Sequence, residues 1–215
     1  MHFFSSVPAR RPPHRRNAVA ERPAPRPSVL THWYGHGGAE VGLRATPVAG
    51  WRSTLSLWAL SLDSELLFVG DAGITEPSAA SRRSGVTWAN FYRALRQLAL
   101  DWDVSLARAR FSDEAPDEDR IPGALENVVA AGVTWSPVSR GPFGAFRLRH
   151  FGSYPLIEDN SVRASGTTLF NADAGWLFAP GLRLQVSLLN VFDVRDFDIH
   201  PVEPRQVRVS LGWGF

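Results

Sequence analysis

The sequence predicts an all-β chain, an antiparallel up-and-down transmembrane β-barrel segment of about nine strands forming a partial barrel. Three observations carry this. From about residue 39 the side chains alternate with a period of two, the repeat of an extended strand with two faces. Several of the alternating runs exceed the roughly five or six residues usual in globular strands. The connections fall into two alternating classes, short turns and long polar loops, as in transmembrane barrels.

The first strand, 39–46, runs into the short join "TPVAG". The second, 52–69, carries Trp58 and ends at the long loop "GDAGITEPSAASRR". The third and fourth, 84–94 and 98–111, flank a tight join at 95–97. "ANFYRALRQLAL" also reads as a helix, since Ala, Leu, Arg and Gln are good helix formers, but strand, turn, strand is favoured. In "LALDWDVSLARAR", Leu98, Leu100, Trp102, Val104 and Leu106 point one way and Ala99, Asp101, Asp103, Ser105 and Ala107 the other. After the loop "SDEAPDEDRIPGA" come 125–136, the short "PVSRGP" and 143–151. Beyond "GSYPLIEDNSVRAS" lies 166–178, where Phe170, Ala172, Ala174, Trp176 and Phe178 oppose Asn171, Asp173 and Gly175. "APG" leads to 182–194, with Leu182, Leu184, Val186 and Leu188 against Arg183, Gln185 and Ser187. "VRDFDIHPVEP" precedes the last strand, 205–215, which alternates to a terminal Phe215.

A span of about 9–11 tilted residues crosses a bilayer, and most of these runs meet it. Trp58, Trp88, Trp102, Trp135, Trp176 and Trp213 lie on strands, where tryptophan suits the membrane interface. A soluble β-sandwich is the alternative; it predicts shorter strands and no difference between the two ends. No run of about 18 apolar residues exists, which excludes a transmembrane helix.

Composition narrows the function. All 23 basic residues are arginine and there is no cysteine, so neither disulfides nor thiolate metal sites are available. Residues 1–38 read as an Arg/Pro-rich, disordered segment preceding the partial barrel at 39–215. Arginines 10, 11, 15, 16, 22 and 26 against Glu21 alone account for the basic balance; the remaining 17 arginines and 20 acids leave the body at about −3. No nucleic-acid partner is expected. "MHFFSSVPARRPPHRR" reverses the charged-then-apolar order of a signal peptide. No G-x-S-x-G, G-x-x-x-x-G-K or H-E-x-x-H motif is present, so the chain reads as no enzyme, with no catalytic residue, no metal site and no cofactor. His32 and His36 have i, i+4 spacing but sit in a glycine-rich stretch. "DEAPDEDR" reads as a solvated external loop.

Residues 39–215 resemble the carboxyl-terminal part of TonB-dependent outer-membrane receptors. The matching stretches include "IPGALENVVAAGVTW", "FRLRHFGSYPLIEDNSV" and "LLNVFDVRDFDIHPVEPRQVRVSLGWGF". The ending is the most specific: an "N-x-F-D" element at Asn190 to Asp193, then Glu203, Pro204, Arg205 and a strand closing on Phe215. The resemblance implies a 22-stranded barrel around an amino-terminal plug, importing siderophore-bound iron or another scarce nutrient with energy delivered through a TonB box. Nine strands, no preceding plug and no recognisable TonB box depart from that pattern. The expected function is therefore a carboxyl-terminal receptor fragment, not transport-competent alone. The alternative is a small structural outer-membrane β-protein or soluble β-domain with no transport role.

The resemblance implies further that Val207, Val209, Leu211, Trp213 and Phe215 form a membrane-insertion signal read by the outer-membrane assembly machinery. The expected location is the cell outer membrane. Its lipid is a partner, the TonB complex is a partner only through missing amino-terminal parts, and a siderophore or other small ligand is a partner of the complete receptor. The alternation alone marks lumen-facing candidates: Asp101, Asp103, Arg147, Arg149, Asn171, Asp173, Arg183, Gln185 and Arg208, with Asp63 and Glu65 before them. No ligand-binding residue is singled out.

Overall fold

The computed structural model describes residues 28–34, 37–64, 66–69, 74–77, 79–179, 181–195 and 203–213. Its strands are β1 (Ser28–Tyr34), β2 (Gly38–Ala45), β3 (Trp51–Leu62), β4 (Leu66–Val69), β5 (Ile74–Pro77), β6 (Ser81–Arg93) and β7 (Leu98–Phe111). They continue as β8 (Asn127–Trp135), β9 (Gly141–Phe151), β10 (Tyr154–Pro155), β11 (Arg163–Ala164), β12 (Thr167–Ala179), β13 (Leu182–Leu189) and β14 (Gln206–Trp213). Ten of them form one sheet in the order β1-β2-β3-β6-β7-β8-β9-β12-β13-β14. Every neighbouring pair is antiparallel, and spatial order follows chain order, so the sheet is an up-and-down meander. Two small hairpins, β4 with β5 and β10 with β11, sit within the long connections. Among the described residues β1 and β14 each pair on one side only.

The expected strands are present with two corrections. Segment 1–38, read as disordered, contains β1, which pairs with β2 from Ser28↔Arg44 to Tyr34↔Gly38. The sheet thus begins at residue 28 and has ten strands rather than nine; residues 1–27 lie outside the described residues. Adjacent Val29 and Leu30 break the alternation that marks the other strands, whereas pairing needs only the bare edge that β2 offers. The expected strand 52–69 ends at Leu62, and Leu66–Val69 pairs instead with Ile74–Pro77. Four consecutive apolar residues there cannot continue a two-faced pattern. "ANFYRALRQLAL" is strand, turn and strand, closed by mutual backbone hydrogen bonds between Leu95 and Leu98.

One end of the sheet carries the short joins at 46–50, 94–97, 136–140 and 180–181; the other carries the long connections at 63–80, 112–126, 152–166 and 190–205, together with the short step from β1 to β2. β6, β7 and β12 reach 13, 14 and 13 residues, enough to cross a bilayer at a tilt. Burial is as unusual as length. Among the described residues the buried apolar side chains are Ala109, Ile121, Pro155 and Ala164, and these sit at or beside the long-loop end. No second layer covers the sheet among the described residues, as a sandwich would require about 10 Å away.

Candidate functional site

The site is the sheet itself, because its register sorts the side chains into two chemically different faces. Residues directly opposite in a ladder share a face. One row therefore runs Leu43, Leu55, Trp88, Val104, Val129 across five strands, and another runs Trp51, Tyr92, Leu100, Val133, Phe146. Trp176, Leu184 and Leu211 continue the same face across β12, β13 and β14. Near the short joins Trp51 lies 6.3 Å from Tyr92 and 5.9 Å from Trp102, which lies 6.2 Å from Trp88. Two indole N–H groups find partners on the same face: Trp51 Nε1 donates to Asn90 Oδ1 at 3.1 Å, and Trp88 Nε1 to Ser53 Oγ at 3.0 Å. These polar groups are thus satisfied without water, as an apolar surrounding demands. Trp58 is a correction to the sequence reading. It pairs with Glu40 and Gly85 and so lies on the opposite face, its ring filling the space that Gly85 leaves.

The opposite face is polar, and all nine candidates from Asp101 to Arg208 share it. Arg147 Nη1 meets Asp101 Oδ2 at 3.1 Å across Gly132 of the intervening strand. A Cβ on Gly132 would stand 2.9 Å from both groups. With Arg147 52% exposed the pair contributes little, about 0.2–1 kcal/mol. Asp173 Oδ1 accepts from Gln185 Nε2 at 2.8 Å and from Ser187 Oγ at 2.5 Å. The Arg183 guanidinium lies 3.9 Å from the centre of the Phe143 ring. Phe143, Arg147, Asp173, Arg183 and Gln185 help line a hollow of 310 Å³, and Arg44, Arg52, Phe91 and Asp103 help line another of 430 Å³. Asn171 accepts from the Asn190 amide at 2.9 Å, and Arg149 and Arg208 are exposed on the same face. Sequence reasoning missed Glu40, hydrogen-bonded to Ser56, although it follows the same alternation; Ser187, placed on the polar row by the alternation, joins Asp173 there. Asp63 lies beyond the end of β3, and Glu65 is outside the described residues.

At the long-loop end an ion network ties two connections together. Arg110 Nε lies 3.2 Å from Asp119, Arg120 Nη1 3.1 Å from Glu126, and Arg163 Nη2 2.5 Å from the other Glu126 oxygen. Asp119 belongs to "DEAPDEDR", so part of that loop is engaged by arginine rather than simply solvated. Among the described residues no three His, Asp or Glu side chains come together as a metal site would need.

The "N-x-F-D" element closes the last long connection. Asn190, at φ 50°, ends β13 in a left-handed conformation that asparagine tolerates. Its Nδ2 donates to Val194 O at 2.8 Å and Glu203 O at 3.0 Å, while its Oδ1 accepts from Val194 N at 2.9 Å. Phe192 is set edge-on against Phe170 at 5.1 Å. Asp193 Oδ1 accepts from the Arg205 amide at 2.9 Å, and Oδ2 meets Arg195 at 3.1 Å. That amide first, and Arg195 in addition, hold the Asp193 carboxyl below its ordinary range. Because the folded value is depressed, this tie is fully present above the unfolded aspartate pKa of about 3.9 and is lost as pH falls through the folded value. Hydrogen exchange of the Arg205 amide, corrected for intrinsic rate, is expected to accelerate on acidification below about pH 4. Unchanged protection would show that the carboxylate is not what holds it.

Val207, Val209, Leu211 and Trp213 share the apolar face of β14 and are 68, 66, 72 and 71% exposed. Phe215, the fifth residue of the expected insertion signal, lies outside the described residues.

A single-layer antiparallel meander with one apolar and one polar face is the wall of a β-barrel of the outer-membrane kind. Solved structures with this fold include the ferric-catecholate import receptor Fiu of E. coli K12, matched over 83% of this chain and 27% of its own at 16% identity and a TM-score of 0.66. The FrpB iron transporter of Neisseria meningitidis matches over 82% and 30% of the two chains at 16% identity and a TM-score of 0.62. The ferric preacinetobactin receptor BauA of Acinetobacter baumannii matches over 82% and 29% at 13% identity and a TM-score of 0.64. At these identities what is shared is the fold, and the chain spans less than a third of each receptor. No family model and no curated protein matches the sequence.

Proposed function

We propose that this chain is the carboxyl-terminal portion of a TonB-dependent outer-membrane receptor for siderophore-bound iron or a similar scarce nutrient, and that alone it transports nothing and catalyses nothing. The observation that carries the reading is the uncovered apolar face, whose large side chains no other part of the described chain covers and lipid would. The named neighbours, a ferric-catecholate import receptor, an iron transporter and a ferric preacinetobactin receptor, support the uptake class. On this reading the polar face looks into the lumen, the edges of β1 and β14 meet further strands, and the apolar stripe on β14 addresses the assembly machinery.

The full chain, refolded into detergent micelles, is expected to migrate faster on gels before boiling than after, and to fractionate with the outer membrane when secreted. Liposomes bearing it alone are expected to take up no more ferric siderophore than bare ones. A soluble monomer that ignores detergent would overturn the membrane assignment. Saturable uptake would overturn the assignment as a non-transporting portion.

A further inference from the structure

Above the apolar face, toward the long loops, β6 and β7 turn abruptly basic. Leu57, Val86 and Leu106 form one row across β3, β6 and β7, with Leu57 52% and Leu106 48% exposed. On the same face Arg108 follows two residues beyond Leu106 and Arg82 four residues beyond Val86, about 7 and 13 Å along the strands. The register sets Arg82 directly opposite Arg110 and Arg108 opposite Ser84. Like charges so placed repel, and an adjacent anion relieves them. Arg110 has its anions, Asp119 at 3.2 Å and Glu126 at 3.9 Å. Arg82 and Arg108 are exposed, and no carboxylate pairs with either among the described residues.

We propose that Arg82 and Arg108 bind the phosphate of an anionic lipid whose acyl chains lie along Leu57, Val86 and Leu106. Phosphate fits because two guanidinium forks at diagonal positions of one ladder can each donate N–H groups to different oxygens of one polyvalent anion. A lipid fits better than a free anion because the apolar row begins one residue pair below the arginines, so one amphiphile meets both. Long basic side chains at the end of a membrane-facing surface direct their charge to the headgroup layer. The site rests on the reading that the apolar face meets lipid.

The full chain in zwitterionic micelles is titrated with short-chain phosphatidic acid, with phosphatidylcholine of the same chains, and with inorganic phosphate, retained lipid being counted by native mass spectrometry. Phosphatidic acid is expected to be retained over the other two. Arg82→Gln and Arg108→Gln each weaken it about fivefold, the double variant roughly twenty- to thirtyfold, and Arg208→Gln on the opposite face not at all. Equal retention of the two lipids, or a double variant that binds like the parent, overturns the site. Inorganic phosphate competing at the concentration of the lipid shows a simple anion site and overturns the lipid assignment. A chain that enters micelles with a β-sheet spectrum and fails these tests loses only the phosphate site. One that does not enter micelles loses the membrane reading, and this site with it.

Discussion

Replacing Asn190 by alanine is expected to destabilise the folded chain by about 3 kcal/mol, read from urea unfolding in micelles by tryptophan fluorescence. Three side-chain hydrogen bonds disappear together, and the Val194 and Glu203 backbone groups they satisfied are left at a side chain only 5% exposed. Alanine also has to hold φ near 50°, which costs about 1 kcal/mol for a residue with a Cβ and no local hydrogen bond. Asn190→Gly separates the two causes. It loses the same hydrogen bonds but keeps the conformation, so it is expected to recover about 1 kcal/mol of the loss. A loss below about 1 kcal/mol in the alanine variant would show that the loop closes without this residue.

Gly175→Val is expected to cost about 3 kcal/mol or more, in the upper part of the range for overpacking. A Cβ at this position would stand 2.3 Å from the Leu184 carbonyl oxygen and 2.3 Å from Phe143 Cζ. A ring can swing away, though Phe143 would then leave the Arg183 guanidinium it holds at 3.9 Å. The carbonyl belongs to the paired strand and moves only if β12 and β13 separate. Gly212→Val is the control on the same face, since the nearest atom to its Cβ would be 4.0 Å away. That variant is expected within about 0.5 kcal/mol of the parent, and two equal losses would mean that glycine is needed in these strands for its backbone alone.

Much of the sheet is legible in the sequence because a strand displays its two faces in its own residue order. Leu98, Leu100, Trp102, Val104 and Leu106 against Asp101 and Asp103 state both that β7 is a strand and which residues share a face. The same alternation groups the nine polar candidates, and the register sets them on one face of the sheet. Trp58 shows where the method fails: residue type assigned it to the interface, while its phase, one residue after Leu57, puts it on the polar face. β1 was hidden because a short edge strand needs only backbone groups to pair, and these leave no mark on side-chain order.

By itself the sequence determined the meander from residue 39 onward and the alternation of short and long joins along it. These are local properties, carried by residues a few positions apart. Only the tertiary structure decided which partners meet: Arg147 with Asp101 across Gly132, Trp58 over Gly85, Arg163 with Glu126, and Arg82 opposite Arg110. Register makes those pairs, and register depends on how each turn closes and on which strand lies alongside, neither of which any one segment encodes.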